Sequence, residues 1–308
     1  MPLKLSTLYF FIMLLSFTAC KKTTVTQNTL IPSYTEVPTV LVENYINRIY
    51  IDLLGREPLD AEMDSEVIYL RNNDLTFASR KALVLKLQTD TTFREGDISY
   101  KHAYYHQIYD KCKGRMLEGA SEYEIQHQIS LLADAIRRDS LAGNYEQLML
   151  NKYEQQKLID VIEAETLYMQ DSISLGAVLG SMANNKIYDI INMNTFNFIR
   201  ASFDNIFFRF PTDHEFYTCF DIVEYNQSGV LWGKSAQNKE EMISLWINSQ
   251  EFLNGQVVWL YQALLARNPT SQEMAYGIQL LYENDDIQKL EREIIATDEY
   301  AHFTYINK

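Results

Sequence analysis

The apolar residues of one N-terminal segment recur with the period of an α-helix and then stop at a turn. Four of them lie at positions i, i+4, i+7 and i+11, on one face of a helix: Val42, Ile46, Ile49 and Leu53. Gly55 follows at once, and glycine adopts at little cost the left-handed backbone conformation that ends many helices. Pro58 favours an extended residue before it and a new element after it. The segment therefore predicts two helices joined by a tight turn.

The same turn recurs twice more along the chain. Three segments carry an arginine, a proline two residues later and a glutamate four residues after that: Arg56, Pro58 and Glu62; Arg209, Pro211 and Glu215; Arg267, Pro269 and Glu273. We call these segments the first, second and third corner. Thr212 and Thr270 add the first residue of a capping box, in which a hydroxyl and the glutamate satisfy the free amides of the next helix. We expect each arginine to pair with its glutamate and brace the turn. Binding of an anion by the arginines is the alternative, but a residue needed for chemistry has no reason to recur.

The spacing of the copies predicts how the chain is organised. A fainter copy without proline comprises Tyr104, Ile108, Tyr109, Gly114 and Arg115. The pattern predicts a flexible tether over 20–40, helical repeat pair 1 over 41–147, a helical insertion over 148–195 and helical repeat pair 2 over 196–308. Repeated helical hairpins are typical of units that stack on each other. No proline occurs between 59 and 210. The predicted fold class is all-α, built from repeated helical-hairpin modules whose two related halves pack together.

Composition and charge narrow the choice of function. The chain has 308 residues, of which 47% are hydrophobic, so it can bury a large core. Its formal net charge is −14, which disfavours nucleic acid as a partner and gives no attraction to anionic lipid.

The first twenty residues have the layout of an export signal. Lys4 precedes an apolar run from Leu8 to Phe17 that is too short to span a bilayer. The run ends in Thr18, Ala19 and Cys20, which resembles the lipobox of bacterial lipoproteins. The resemblance implies a signal peptide over 1–19, cleavage before Cys20 and acylation of Cys20, with palmitate among its acyl groups. An ordinary secretory signal and an uncut N-terminal anchor are the alternatives.

The residues after Cys20 bear on which membrane face the protein occupies. In Bacteroidetes-type lipoproteins, which this signal resembles, acidic residues after the cysteine mark export to the cell surface. Lys21 and Lys22 stand there instead. We therefore expect a lipid anchor in the outer membrane, with the protein facing the periplasm.

Other candidate groups have simpler explanations. His102, His106 and Asp110 share a helix face that can present a metal ion, but neighbouring tyrosines favour aromatic packing, so we predict no metal and no cofactor. Cys112 and Cys219 either form a disulfide or remain buried thiols. No catalytic serine motif, dinucleotide-binding glycines or phosphate loop occurs.

The first corner also resembles a known module. The stretch from Tyr50 through Gly55, Arg56 and Pro58, with Glu62 and a polar close at Phe93, is similar to the helical phycobilisome-linker domain and to related modules of unknown function in secreted bacterial proteins. The resemblance implies a protein-binding helical module rather than an enzyme. It does not imply phycobiliprotein partners, because the export signal indicates another compartment.

These observations together predict a non-catalytic outer-membrane lipoprotein. It would act as a scaffold or accessory subunit and dock an outer-membrane or periplasmic protein complex. The alternatives are an enzyme acting on cell-wall or glycan material through acidic groups of the second half, and a lipoprotein that binds glycans or small ligands through exposed aromatics such as Trp232.

Overall fold

Helices account for most of the chain, as the sequence pattern predicts. The computed structural model describes residues 37–95, 98–284 and 287–303. Within these ranges it contains fifteen α-helices, one π-helical turn and one two-stranded sheet, so the predicted all-α class is confirmed. The predicted signal peptide, Cys20 and most of the predicted tether lie outside the described residues. None of the described helices combines the length and apolar character needed to cross a bilayer.

The first eight helices run from the N-terminal side to the middle of the chain. They are α1 (Thr39–Leu54), α2 (Asp60–Asn72), α3 (Phe77–Thr89), α4 (Tyr100–Met116), α5 (Glu122–Ala142), α6 (Tyr145–Met169), α7 (Leu175–Ala183) and α8 (Lys186–Asn192). The longest two, α5 and α6, pack against each other as a hairpin. The base of α6 then packs on α4 and α7.

The second half of the chain begins with α9 (Thr195–Ser202) and a π-helical turn (Phe203–Phe207). It continues with α10 (Asp213–Tyr225), β1 (Gly229–Leu231), β2 (Lys234–Ala236), α11 (Lys239–Ile247), α12 (Gln250–Leu265), α13 (Ser271–Asn284), α14 (Ile287–Ile295) and α15 (Asp298–Ala301). The strands form an antiparallel hairpin in which Leu231 pairs with Lys234. Trp246 of α11 lies at the centre of this half, with its ring 6.0, 5.7 and 5.9 Å from those of Phe198, Phe203 and Phe207.

The last helices complete the core of the first ones. The buried Tyr45 hydroxyl on α1 donates to the Ile295 carbonyl of α14 at 3.1 Å. Arg80 of α3, which is almost fully buried, forms an ion pair with Asp298 of α15 at 2.7 Å. The Tyr300 hydroxyl donates to the Asp52 carboxylate at 2.8 Å. Helices α1, α3, α14 and α15 therefore share one core although they stand at opposite ends of the sequence.

The structure differs from the predicted organisation at three places. Gly114, taken as the turn of the fainter copy, lies in the last turn of α4, which ends at Met116, so the turn between α4 and α5 falls a few residues later than predicted. The predicted boundary at 147 falls within α6, and that at 195 falls at the start of α9, where Asn194 caps the helix. The segment around Gly233 forms the turn of the β-hairpin, with positive φ at Trp232 and Gly233, a geometry that suits a two-residue turn.

Two glycines provide a matched test of packing. A Cβ added to Gly255 of α12 would lie 2.5 Å from the Ile206 carbonyl oxygen and 2.8 Å from the Phe207 Cα, and this backbone cannot move aside cheaply. We expect Gly255→Ala to lower the free energy of unfolding by about 1–3 kcal/mol. At Gly114 no atom lies within 4 Å of the added Cβ. Gly114→Ala should therefore raise stability by about 0.5–1 kcal/mol. Urea unfolding followed by circular dichroism measures both, and equal effects would contradict the packing of α12 on the π-helical turn.

Candidate interaction surface

The first corner is held by a two-pronged ion pair. The two Nη atoms of Arg56 donate to the two carboxylate oxygens of Glu62 at 2.7 and 2.9 Å. Arg56 also donates to the Glu57 carbonyl at 3.0 Å. The Glu62 carboxylate accepts a further bond from the Leu59 amide at 2.8 Å, which satisfies a free N–H at the start of α2. One arginine thus joins the end of α1, the turn and the beginning of α2.

The second and third corners have the same contacts. Arg209 donates to both Glu215 oxygens at 2.9 and 2.6 Å and to the Phe210 carbonyl at 3.2 Å. Arg267 donates to both Glu273 oxygens at 2.8 and 2.7 Å and to the Asn268 carbonyl at 3.0 Å. The amides of Thr212 and Thr270 donate to the same glutamates at 2.8 and 2.7 Å. All three predicted arginine–glutamate pairs are therefore brought together in one geometry.

The backbone at the three corners is also alike. The residue before each arginine has a left-handed conformation, with φ of 73° at Gly55, 56° at Phe208 and 53° at Ala266. Pro58, Pro211 and Pro269 each stand two residues before the first residue of the next helix. Phe208 and Ala266 adopt the strained conformation without the freedom of glycine, which costs about 1–2 kcal/mol per residue. The ion pair and the capping bonds offset this cost.

Each corner arginine also lies over an aromatic ring six residues before it. The guanidinium carbon is 5.5 Å from the ring centre of Tyr50 at the first corner. The matching distances are 5.3 Å to Phe203 and 5.2 Å to Tyr261 at the second and third corners. A planar guanidinium can pair with a carboxylate at its edge and cover a ring with its face, which a lysine cannot do equally.

A second acid reaches the second and third corners from a distant helix. Glu251 accepts from Nε and Nη2 of Arg209 at 3.0 and 2.7 Å. Glu299 accepts from Nε and Nη2 of Arg267 at 2.6 and 2.8 Å. The spacing of the corner residues does not predict this role for Glu251 and Glu299. The signal was available in Gln250-Glu251-Phe252 and Asp298-Glu299-Tyr300, where the acid precedes an aromatic residue that the structure buries. Phe93, which ends the corresponding run of the first copy, is exposed instead.

The corner glutamates are held ionised. Burial raises the pKa of Glu215, but the bonds from Arg209, the Thr212 amide and Trp232 outweigh it and lower the pKa to about 2. Arg267 and the Thr270 amide lower the pKa of Glu273 to about 2 against a smaller effect of burial. Burial raises the pKa of Glu62, but the bonds from Arg56, the Leu59 amide and Tyr100 outweigh it and hold that pKa below its usual value. Carboxylates that are paired and ionised in this way brace a fold and are poor proton donors near neutral pH.

The other candidate groups from the sequence are the two histidines of α4 and the two cysteines. The ring of His106 lies between Glu165 at 2.9 Å and Asp110 at 3.3 Å, and it stacks on His102 with ring centres 6.4 Å apart. Across the described ranges, no group of three or more histidine, cysteine, aspartate or glutamate residues is arranged to hold a metal ion. Cys112 and Cys219 are buried free thiols, so the disulfide alternative is wrong. Burial raises the pKa of each thiol to about 12.

Trp232 is less exposed than predicted. The sequence predicts an exposed aromatic for ligand binding at this position, but Trp232 is half-buried beside the second corner. Its indole N–H donates to Glu215 at 2.9 Å, and its ring lies 5.5 Å from that of Phe207. Trp232 therefore supports the corner and is not available as a ligand platform.

An aromatic surface that the sequence analysis did not identify covers α9 and α10. We call it the aromatic face, and it comprises Phe196, Arg200, Phe210, Phe216, Tyr217, Phe220 and Tyr225. The rings form a connected series, with centres 5.1 Å apart for Phe196 and Phe216, 6.1 Å for Phe216 and Phe220, and 5.9 Å for Phe220 and Tyr225. The Arg200 guanidinium lies 5.1 Å from the Phe196 ring and 5.9 Å from the Phe210 ring.

The aromatic face stays at the surface because of how α10 is oriented. Glu215, Cys219 and Ile222 lie on the buried side of this helix, at i, i+4 and i+7. Phe216 and Phe220 follow them by one residue and are half-buried at the edge of the core. Phe210, Tyr217 and Tyr225 are exposed over 71%, 65% and 60% of their surface. Contiguous aromatic groups with an arginine are the composition that concentrates binding energy in protein interfaces.

The rim of the aromatic face is acidic. Asp213, Asp221 and Glu224 are exposed on α10 beside the rings. This arrangement suits a partner that presents apolar side chains surrounded by lysine or arginine, because complementary rims guide association.

Because the pKa of Glu215 is lowered, the ion pair at the second corner should make the free energy of unfolding depend on pH. A folded pKa of about 2 lies below the ordinary value of 4.5. The stability contributed by the ionised Glu215 carboxylate is therefore present above pH 4.5 and is lost as the pH falls toward 2. We expect Glu215→Gln to flatten the dependence of unfolding free energy on pH in this window by up to about 1.4 kcal/mol per pH unit. Urea titrations at stepped pH measure the slope, and the exposed Glu163→Gln serves as the control. A Glu215→Gln slope equal to that of the parent would contradict the ion-paired corner.

Comparison with known proteins adds no functional information, so function is inferred from the surfaces described above. No family model, curated protein sequence or solved structure matches this chain. The resemblance of the first corner to phycobilisome-linker domains therefore stays a prediction.

Proposed function

We propose that this protein is a non-catalytic scaffold or accessory subunit of an envelope protein complex, held at the outer membrane by a lipid on Cys20. The observation that carries the proposal is the aromatic face. A monomeric surface seldom exposes so many contiguous rings unless a partner covers them. The partner is a protein of the outer membrane or periplasm that offers an apolar protrusion with a basic rim.

The corners support the scaffold part of the proposal. Their shared ion pairs, left-handed residues and ring contacts are what a duplicated helical module would retain. We propose that α1–α2, the segment from α9 to α10, and α12–α13 are copies of one hairpin module, and that the two related halves pack together. In such a design the repeated arginines stabilise each copy, and the differences between copies create the binding surface.

The proposal of a lipid anchor rests on the sequence at Cys20. A protein of net charge −14 has little affinity for anionic lipid by itself. Acylation at Cys20 would supply the attachment, and the lysines after it favour the periplasmic side of the outer membrane.

Removing exposed rings tests the docking role of the aromatic face. We expect the full chain with Phe210→Ser and Tyr217→Ser to capture at least about tenfold less of its envelope partner than the parent, since loss of a hot-spot aromatic costs about 2 kcal/mol or more. Affinity purification from the native envelope, followed by reassembly with the purified partner, provides the measurement. Tyr282→Ser on α13, which removes a ring that is 82% exposed, is the matched control. Equal capture by the parent and both variants would overturn the role of the face, and unchanged melting temperatures would show that folding is intact.

Labelling with a palmitate analogue tests the anchor. The parent should carry the label and sediment with outer membranes, while Cys20→Ser should lose both properties because the acylated thiol is gone. Cys112→Ala, which removes a buried thiol far from the cleavage point, should keep both. Membrane fractionation with mass determination of the N-terminal peptide makes the comparison. Label retained in Cys20→Ser would contradict the proposed anchor.

A further inference from the structure

The α5–α6 hairpin extends beyond the core. Residues 133–157, which we call the arm, contain no buried residue. The base of the same hairpin is well packed, since Ile125, Leu158 and Val161 are fully buried. At 1.5 Å per residue the arm extends for roughly 15–20 Å along each helix. Over this length the two helices pack mainly against each other and bury no residue in the body of the protein.

An apolar stripe on α6 continues from the base into the arm. Leu150, Tyr153, Val161, Ala164 and Tyr168 lie on this stripe at helical spacing, and Lys157 interrupts it between Tyr153 and Val161. Val161 and Ala164 are fully buried in the body of the protein, whereas Leu150 is 51% exposed. Tyr145 and Met149 extend the exposed part toward the tip, and they are 73% and 62% exposed. The face that packs α6 onto the body thus continues into the arm, where Leu150 and Tyr153 are about half exposed.

The contact between the two helices of the arm, which we call the seam, is partly polar and does not use all of the apolar groups of the arm. Between its helices, Asn151 donates to the Asp139 carboxylate at 2.8 Å. Gln155 donates to the Ile129 carbonyl at 3.1 Å where the arm meets the base. These polar contacts fix the seam, and the Tyr153 hydroxyl donates to Glu240 of α11, which holds the arm against the body. The arm is therefore a fixed element with its larger apolar side chains turned outward.

The charge of the arm differs from that of the chain. The whole protein has a formal net charge of −14. The arm has four acids and four bases, namely Asp134, Asp139, Glu146, Glu154, Arg137, Arg138, Lys152 and Lys157. Its net charge is zero, so two copies of this acidic chain repel each other least where their arms meet. Residues of both signs also allow each arm to complement the other when they lie antiparallel.

We propose that the arm binds the arm of a second copy of this chain, so that two hairpins form a four-helix bundle about a two-fold axis. A two-fold interface needs one surface that complements itself, and a neutral surface with mixed charges and an apolar stripe meets that need. An anionic lipid surface would require a net positive arm, and a strongly charged partner protein would require a net charge of the opposite sign. This inference goes beyond the proposed function and does not depend on the aromatic face.

Site-specific photo-crosslinking identifies what covers the arm. A benzophenone amino acid is placed at Tyr145 or Met149 in the full chain, and the same group at Tyr282 of α13 serves as the control. We expect irradiation to give an adduct of twice the 36.0 kDa chain at both arm positions and much less at Tyr282. Peptide mapping should find the crosslink within 133–157 of the second copy. Adducts with lipid, adducts with another protein, or a yield equal to that of Tyr282 would each overturn the proposal.

A charge substitution makes the test quantitative. Met149→Glu places like charges where the two arms meet, so the dimer dissociation constant should rise by at least about tenfold in sedimentation velocity. Tyr282→Glu adds the same charge elsewhere and should leave that constant unchanged. Because Met149 is exposed, the variant should unfold at the parent's midpoint and still capture the partner of the aromatic face. An unchanged dissociation constant would overturn the proposal while leaving the proposed function intact.

Discussion

The arginine–glutamate pair at each helix corner is the interaction on which this structure depends. The pair contributes more by orienting the groups around it than by Coulomb attraction, because the three arginines are partly exposed and such pairs contribute little energy alone. The planar guanidinium has five donors in fixed directions. At the second corner Arg209 directs them to a turn carbonyl, to Glu215 and to Glu251. Since Glu215 also caps the next helix, one ion pair links the turn to the start of that helix.

Contacts at and near the corners also join helices that are distant in the sequence. Glu299 and Asp298 of the short helix α15 illustrate this, because Glu299 binds Arg267 while Asp298 binds the buried Arg80 of α3. A buried network lies alongside, in which Tyr104 and Gln88 donate to Glu291 at 2.7 and 3.0 Å. Burial raises the pKa of Glu291, against the effect of these donors. Buried polar groups are costly when their partners are displaced, so this network favours one arrangement of the first and last helices.

The sequence predicted the part of this design that is local. Arg56 and Glu62 lie within one turn and its flanking residues, so spacing alone indicated their contact. Glu251 and Glu299 escaped notice because they reach their arginines from helices far along the chain. Gly114 misplaced the predicted turn, because α4 runs on to Met116 and the left-handed residues of the turn are Glu118 and Gly119. The sequence did not predict that the rings of the aromatic face are exposed, because apolar spacing alone does not show which apolar residues of α10 lie outside the core. Trp232 was misplaced for the same reason, because its burial depends on Glu215 and Phe207.

The distribution of charge connects the exposed surfaces with the interior. Exposed rings such as Phe210 and Tyr217 invite nonspecific association, and a net charge of −14 opposes it by keeping copies apart. That repulsion is strongest where acids flank the rings, as Asp213, Asp221 and Glu224 do on α10, so association through the aromatic face is reserved for a surface of opposite sign. The repulsion is weakest at the neutral arm. Under the two proposals, the placement of acids would separate contact with a different protein, at the aromatic face, from contact with a second copy, at the arm.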